Sequence, residues 1–180
     1  MIGMPKAAVL LCEGFEEIEG VATIDILRRA GIDVTLVGVG GVIVAGSHGI
    51  KMHSDMRFLD ASFDGFDCLV LPGGPGHDAM LRNDSIVKLV HKMNREGKII
   101  AAICMAPKVL LKAGILADKR ATIYPGFEKL LDRPRDSPVV VDGNIITSQG
   151  PGTALEFGLK IVEVLVGAPK AAEIRKQIVA

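Results

Sequence analysis

Tryptophan is missing from this 180-residue chain, tyrosine occurs once and phenylalanine six times, so its core must be built from Val, Ile, Leu and Ala rather than from rings. An aliphatic core of that kind suits a sheet covered by helices, and the length suits one domain spanning residues 1–180. Cysteine is equally sparse. Cys12, Cys68 and Cys104 form an odd set without a C-x-x-C pair, which argues against both a disulfide framework and a zinc site. An excess of either charge is also lacking, since 21 basic residues balance 21 acidic ones. No bulk field therefore recruits nucleic acid or an acidic membrane, and a small ligand is the expected partner. No apolar stretch reaches the length of a membrane span, and Met1-Ile2-Gly3-Met4-Pro5-Lys6 lacks the basic start and apolar core of a signal peptide, so the expected location is the cytoplasm.

What the chain does have is an alternation of short and long periodic segments. Lys6 to Leu11, Asp33 to Val37 and Cys68 to Leu71 read as strands, Glu17 to Ala30 and Asp84 to Glu96 as helices. This is the order of an α/β, doubly wound, mostly parallel sheet with helices on both faces, a three-layer sandwich. Ile18, Ala22, Ile26 and Ala30 fall four apart on one face of the first helix, which Gly31 ends after Arg28-Arg29; Gly97 does the same after Arg95-Glu96. Between Val39 and Asp60 the pattern breaks into Val42-Ile43-Val44 and Ile50-Lys51-Met52 around Gly46-Ser47-His48-Gly49, a hairpin expected beside the main sheet and a candidate cover for a partner subunit. Phe127 to Pro138 reads as an irregular loop, and Val139 to Thr147 as a second hairpin turning at Asp142-Gly143 or Gly143-Asn144. Thr153 to Val166 is apolar on most sides and is expected to be a buried helix.

Cys104 stands where the apolar run Lys98 to Ile103 stops and Met105-Ala106-Pro107 opens a helix. A strand-to-helix turn of this kind aims a side chain into the crevice beyond the carboxyl ends of the strands, where helix amides favour a thiolate. The plainer reading is a small buried hydrophobe. The first strand leads into Cys12-Glu13-Gly14-Phe15-Glu16-Glu17-Ile18-Glu19. Glu19 points away from the Ile18 face, either towards that crevice, where a desolvated carboxyl can donate to sulfur, or simply as part of an acidic first turn. Pro72-Gly73-Gly74 follows the Cys68 to Leu71 strand; its glycines let backbone N–H groups approach a developing oxyanion, or merely make a tight turn. Ser148-Gln149-Gly150-Pro151-Gly152-Thr153 reads as a helix start with Thr153 as cap. His48, His53, His77 and His91 are scattered and none adjoins Cys104, so neither a Cys-His dyad nor a metal site is expected. Cys68 reads as inert packing and Cys12, at a strand end, as a secondary reactive thiol.

Taken in order, Glu16-Glu17-Ile18-Glu19, Leu71-Pro72-Gly73-Gly74, Ala101 to Pro107 and Thr147 to Thr153 resemble the ThiJ/PfpI superfamily over nearly the whole length. The likeness is to the branch of the Parkinson-disease protein deglycase and bacterial YajL. That resemblance implies a flavodoxin-like sandwich, a homodimer, no cofactor, and a reactive cysteine in a strained turn, here Cys104. It also implies that Glu19 is the carboxyl bonded to that sulfur, and that the amides near Gly74 and Met105 form the oxyanion site, with Gly73, Tyr124 and His48 as auxiliary positions. Three departures matter. Met105 stands where protease-like members have a His after the nucleophile, which disfavours peptide hydrolysis. Tyr124 stands where some closer relatives have a His, and a phenol is a poor base near neutral pH. Gln149 and His48 stand where some relatives have arginine, which weakens anion binding near the thiol. The expected activity is a cysteine-dependent deglycase or glyoxalase: Cys104 adds to a glyoxal or methylglyoxal carbonyl to give a hemithioacetal while Glu19 shuttles a proton. The competing expectation is a redox sensor or holdase chaperone that uses Cys104 oxidation.

Overall fold

A computed structural model describes residues 3–180; Met1 and Ile2, part of the N-terminal stretch read above, lie outside the described residues. The chain runs β1 (Lys6–Cys12), α1 (Glu17–Arg29), β2 (Asp33–Val39), β3 (Ile43–Ala45), β4 (Lys51–His53), β5 (Met56–Arg57), β6 (Cys68–Leu71), α2 (His77–Arg82), α3 (Asp84–Arg95) and β7 (Ile99–Ile103). It continues through α4 (Pro107–Lys112), β8 (Arg120–Ala121), β9 (Arg133–Pro134), β10 (Val139–Asp142), β11 (Ile145–Ser148), α5 (Ala154–Val166) and α6 (Ala168–Gln177). Seven strands form one sheet in the order β10-β11-β7-β6-β1-β2-β5, parallel throughout except for the β10/β11 hairpin. This is the α/β, flavodoxin-like, doubly wound arrangement.

Successive residues of an extended strand face opposite sides of a sheet, and the strands obey this strictly. Ala7, Val9, Leu11, Val70, Ala101 and Ile103 join the core beneath α1, α5 and α6. Ala8, Leu10, Leu69, Leu71, Ile100 and Ala102 join the core beneath α2, α3 and α4. Because both faces are covered, the central strands carry continuous apolar runs, which is why β1, β6 and β7 stood out in the sequence. The chain leaves β1 to one side, towards β2, and returns to the other side at β6. The crevice therefore opens between the carboxyl ends of β1 and β6, the switch point where α/β sheets bind ligands.

Several local readings change. Ile18 is 56% exposed, because α1 packs through Gly20, Thr23, Ile24 and Leu27 and so turns Ile18 and Val21 outwards. The β3/β4 hairpin forms its own two-stranded sheet, tied to the main body by the Gly14 amide donating to the Ala45 carbonyl. Asp142 pairs with Ile145, so the second hairpin turns at Gly143-Asn144. α5 is buried along Ala154, Phe157, Gly158, Ile161 and Val162, yet Leu155 and Val166 remain exposed. Thr153 does not cap α5: its hydroxyl bonds back to Gly150 and Ser148, after a short 3-10 turn at Pro151–Thr153. The six-residue α2 and the alanine- and charge-rich α6 are too short or too weakly patterned to have shown in the sequence. Among the described residues, no helix is long and apolar enough to cross a membrane.

Candidate active site

Four strand ends converge on the crevice. β7 delivers Cys104, which follows its last residue with φ +64°. A left-handed conformation is costly for a side-chain-bearing residue and persists only where the surroundings enforce it. Here they do: the Cys104 amide donates to the carbonyl of Ser148, the last residue of β11, at 2.9 Å, and the Cys104 carbonyl accepts from the Tyr124 amide at 2.9 Å. The next residues turn into α4, with Pro107 at its first position.

β1 delivers Glu19. Glu16 caps α1 by accepting from the Glu19 amide at 2.8 Å, and its own amide donates to the Gly73 carbonyl at 3.0 Å. Glu19 is wholly buried, and its Oε2 accepts from the Gly73 amide at 2.7 Å. Its Oε1 is sealed from solvent without a hydrogen-bond partner, and the Cys104 side chain stands beside the carboxyl across Gly73.

The loop after β6 has to be glycine. A Cβ on Gly73 would stand 2.6 Å from Cys104 Cβ and 2.8 Å from Glu19 Oε2, distances real side chains do not reach. Gly74 adopts φ +79°, and a Cβ there would meet the Glu16 amide at 2.6 Å. The Gly74 and Met105 backbone amides face the Cys104 sulfur and favour its charged form, which sets two dipoles where negative charge would develop. His77, which the sequence did not single out, accounts for part of that geometry. It is buried, and its Nδ1 lies 2.8 Å from the Gly74 carbonyl, so that nitrogen carries the proton and pins the turn.

Burial pushes the Glu19 carboxyl up to about 7, with the Glu16 charge adding to the rise and the Gly73 amide and Cys104 thiol opposing it. Burial, and then the Glu19 charge, push the Cys104 thiol up to about 12 and outweigh the two amides. The expectation of a sulfur ionised outright by helix amides is thereby corrected. Cys104 is only 7% exposed, and its first neighbour is a carboxyl group rather than a cation. The arrangement instead supplies a base beside the thiol.

The other candidates fall elsewhere. Cys12 is sealed in the α2–α4 core, and burial raises its thiol to about 12, so it is not a second reactive thiol. Cys68 is fully buried packing. His48 lies on the β3/β4 turn with its ring exposed, and its polar contacts run to Glu17 at 2.9 Å and Glu16 at 3.9 Å. Glu17 is a saturated carboxylate. Its Oε1 accepts from the His48 and Ile50 amides, and its Oε2 pairs with the Ser47 hydroxyl and the His48 ring. Burial alone would raise Glu17, but the His48 ring and amide, with further bonds from its own amide and Ser47, bring it down to about 2. Glu16, Glu17 and His48 are the one group among the described residues whose potential ligand atoms lie within 4.8 Å of each other. Glu17 already spends its lone pairs holding the hairpin to α1, and Glu16 Oε2 caps α1. The Tyr124 ring lies over Gly150 at the mouth of the crevice.

The model of the DJ-1/PfpI family matches residues 5–164. The chain belongs to the DJ-1/PfpI family. It is 43% identical to the dj-1beta protein of Drosophila melanogaster over 177 residues, 95% of each chain. The crystal structure of Drosophila DJ-1beta superposes with a TM-score of 0.94, covering 99% of both chains at 41% identity. The glutathione-independent glyoxalase DJR-1.2 of Caenorhabditis elegans is 36% identical over 96% of each chain. A deglycase of Pyrococcus abyssi is 32% identical over 89% of this chain and 99% of its own. Members of the DJ-1/PfpI family thus include proteins named for glyoxalase and deglycase activity.

Proposed function

We propose that the protein is a cofactor-independent glyoxalase or deglycase, carried by residues 1–180 as one domain, that converts α-oxoaldehydes and their adducts through Cys104. The observation that carries this reading is the buried Glu19 carboxyl set beside Cys104 across Gly73, with Cys104 on a strained turn and the Gly74 and Met105 amides facing the sulfur. Cys104 attacks the aldehyde carbon and passes its proton to Glu19, while the carbonyl π electrons move to an oxygen held by the two amides. Protonation of that oxygen by Glu19 gives the hemithioacetal. Glu19 then removes the proton from the former aldehyde carbon as the neighbouring carbonyl oxygen is protonated, giving an enediol; return of the proton to the neighbouring carbon and loss of the hydroxyl proton on the sulfur-bearing carbon give the thioester. Water releases the hydroxy acid and restores the thiol. The aldehyde carbon is oxidised as its neighbour is reduced, so no outside oxidant is needed. Methylglyoxal consumed with lactate formed, and neither in Cys104→Ser, is the expected result; unchanged turnover in Cys104→Ser overturns it.

A second reading, oxidation sensing at the same sulfur, draws on the raised Glu19 carboxyl, which when protonated can donate to an oxidised sulfur. Fast, selective peroxide oxidation of Cys104 by intact mass, with negligible aldehyde turnover, would decide in its favour. The homodimer implied by the resemblance has a suitable surface. Ile18, Val21, Ile50 and Leu155 are all exposed around a groove of about 590 Å³, which we assign to a second copy of the chain. Ile18→Lys is expected to shift the light-scattering mass from dimer to monomer; a monomeric wild type contradicts the assignment. The proposed location, the cytoplasm, accords with three free cysteines.

A further inference from the structure

A groove of about 410 Å³ is lined by Tyr124, Pro125, Gln149, Gly150, Pro151 and Thr153 among others. Its two walls are bonded to the nucleophile's own backbone, the Tyr124 amide to the Cys104 carbonyl and the Cys104 amide to the carbonyl of Ser148, the residue before Gln149. The groove is thus anchored to the backbone of Cys104 on both sides.

The chemistry of the lining is one-sided. None of its side chains is charged. The Thr153 hydroxyl is committed to Ser148 and Gly150. The Gln149 amide nitrogen is committed to Asp136 at 3.2 Å, so the one formal charge reaching the rim through this contact is negative. What remains to meet a ligand carries no cation: the flat Tyr124 ring, packed 3.3 Å from where a Gly150 Cβ would stand, the rigid rings of Pro125 and Pro151, and two neutral polar groups, the Tyr124 hydroxyl and the Gln149 side-chain oxygen. Aromatic faces favour flat partners, and an unpaired charge loses its hydration there without compensation.

We propose that this groove is the substituent pocket of the reaction, receiving the uncharged flat group of an aryl α-oxoaldehyde and turning away carboxylate-bearing ones, with Tyr124 as the specificity-determining residue. The proposal rests on the carbonyl chemistry assigned above to Cys104. Its test therefore has one arm that needs no turnover.

In the first arm, kcat/KM is compared for phenylglyoxal, methylglyoxal and 4-carboxyphenylglyoxal. Phenylglyoxal is expected to exceed methylglyoxal about tenfold, the discrimination a single well-packed apolar group confers, and 4-carboxyphenylglyoxal to fall about tenfold or more below phenylglyoxal. Tyr124→Ala is expected to collapse the first ratio towards unity and Tyr124→Phe to preserve it. A purely structural role for Tyr124 would lower all three substrates together, and that result overturns the proposal. In the second arm, Tyr124 emission is followed directly, since the chain has one tyrosine and no tryptophan. In Cys104→Ser, acetophenone should quench it saturably and 4-acetylbenzoate should require about tenfold more ligand or fail. Equal quenching by both, or none by either, overturns the pocket even if methylglyoxal is turned over. Selective quenching without any aldehyde turnover upholds the pocket and removes the glyoxalase reading instead.

Discussion

The Gly73 amide donates to Glu19 Oε2 at 2.7 Å, so the carboxyl that faces Cys104 also locks the loop after β6 to the helix after β1. One side chain thus fixes the Gly73-Gly74 loop and sets the proton inventory around the sulfur.

Because burial raises Glu19 from 4.5 to about 7, the folded state holds this proton more tightly than the unfolded chain. The stabilisation from the neutral carboxyl is complete below pH 4.5 and is lost as pH rises through about 7. Glu19→Gln cannot ionise, so relative to wild type it should gain about 3 kcal/mol across that window. Urea unfolding at several pH values checks this; parallel pH dependences for the two proteins would refute it.

Gly73→Ala forces a Cβ within 2.6 Å of Cys104 Cβ and 2.9 Å of the Ile103 carbonyl. The expected cost is about 1–3 kcal/mol of stability together with a loss of about a hundredfold in turnover from displaced reacting groups. Chemical denaturation and steady-state kinetics on the same preparation read both.

At most positions glycine is less stable than alanine, but Cys104 sits at φ +64°. Cys104→Gly should therefore exceed Cys104→Ala in stability by about 1 kcal/mol. The reverse order would mean that the turn is not strained in solution.

Glu17, held down to about 2, contributes stability above its unfolded value that disappears as pH falls through about 2. Glu17→Gln should loosen the β3/β4 hairpin at neutral pH, seen as faster hydrogen exchange at Gly46 to Ile50, and the difference should shrink in acid. Equal exchange in the two proteins would contradict the latch.

The parallel strands were legible because both of their faces are buried, which leaves runs such as Ile99 to Ile103 with no polar interruption. The strand-to-helix turn at Cys104 was legible for the same reason, combined with Pro107. The outward face of α1 was not. Ile18 looks like any core isoleucine, and only the tertiary fit of Gly20 and Thr23 against the core shows which side turns inwards. The ionisation of Cys104 was misjudged because sequence shows the helix amides but not the degree of burial or the carboxyl alongside. His77 gave no signal, since its partner is a backbone carbonyl three residues away. The Glu17 latch was equally hidden, because a carboxylate in an acidic first turn reads as exposed until the hairpin is folded over it.

A proton shared between Glu19 and Cys104 has its clearest signature in the pH dependence of kcat/KM for methylglyoxal. Activity should rise with pH as Glu19 becomes a carboxylate, with a midpoint near 7. In Glu19→Gln that midpoint should vanish and the rate should drop by about 10²–10⁴. A Glu19→Gln enzyme that keeps both the midpoint and the wild-type rate would contradict the account.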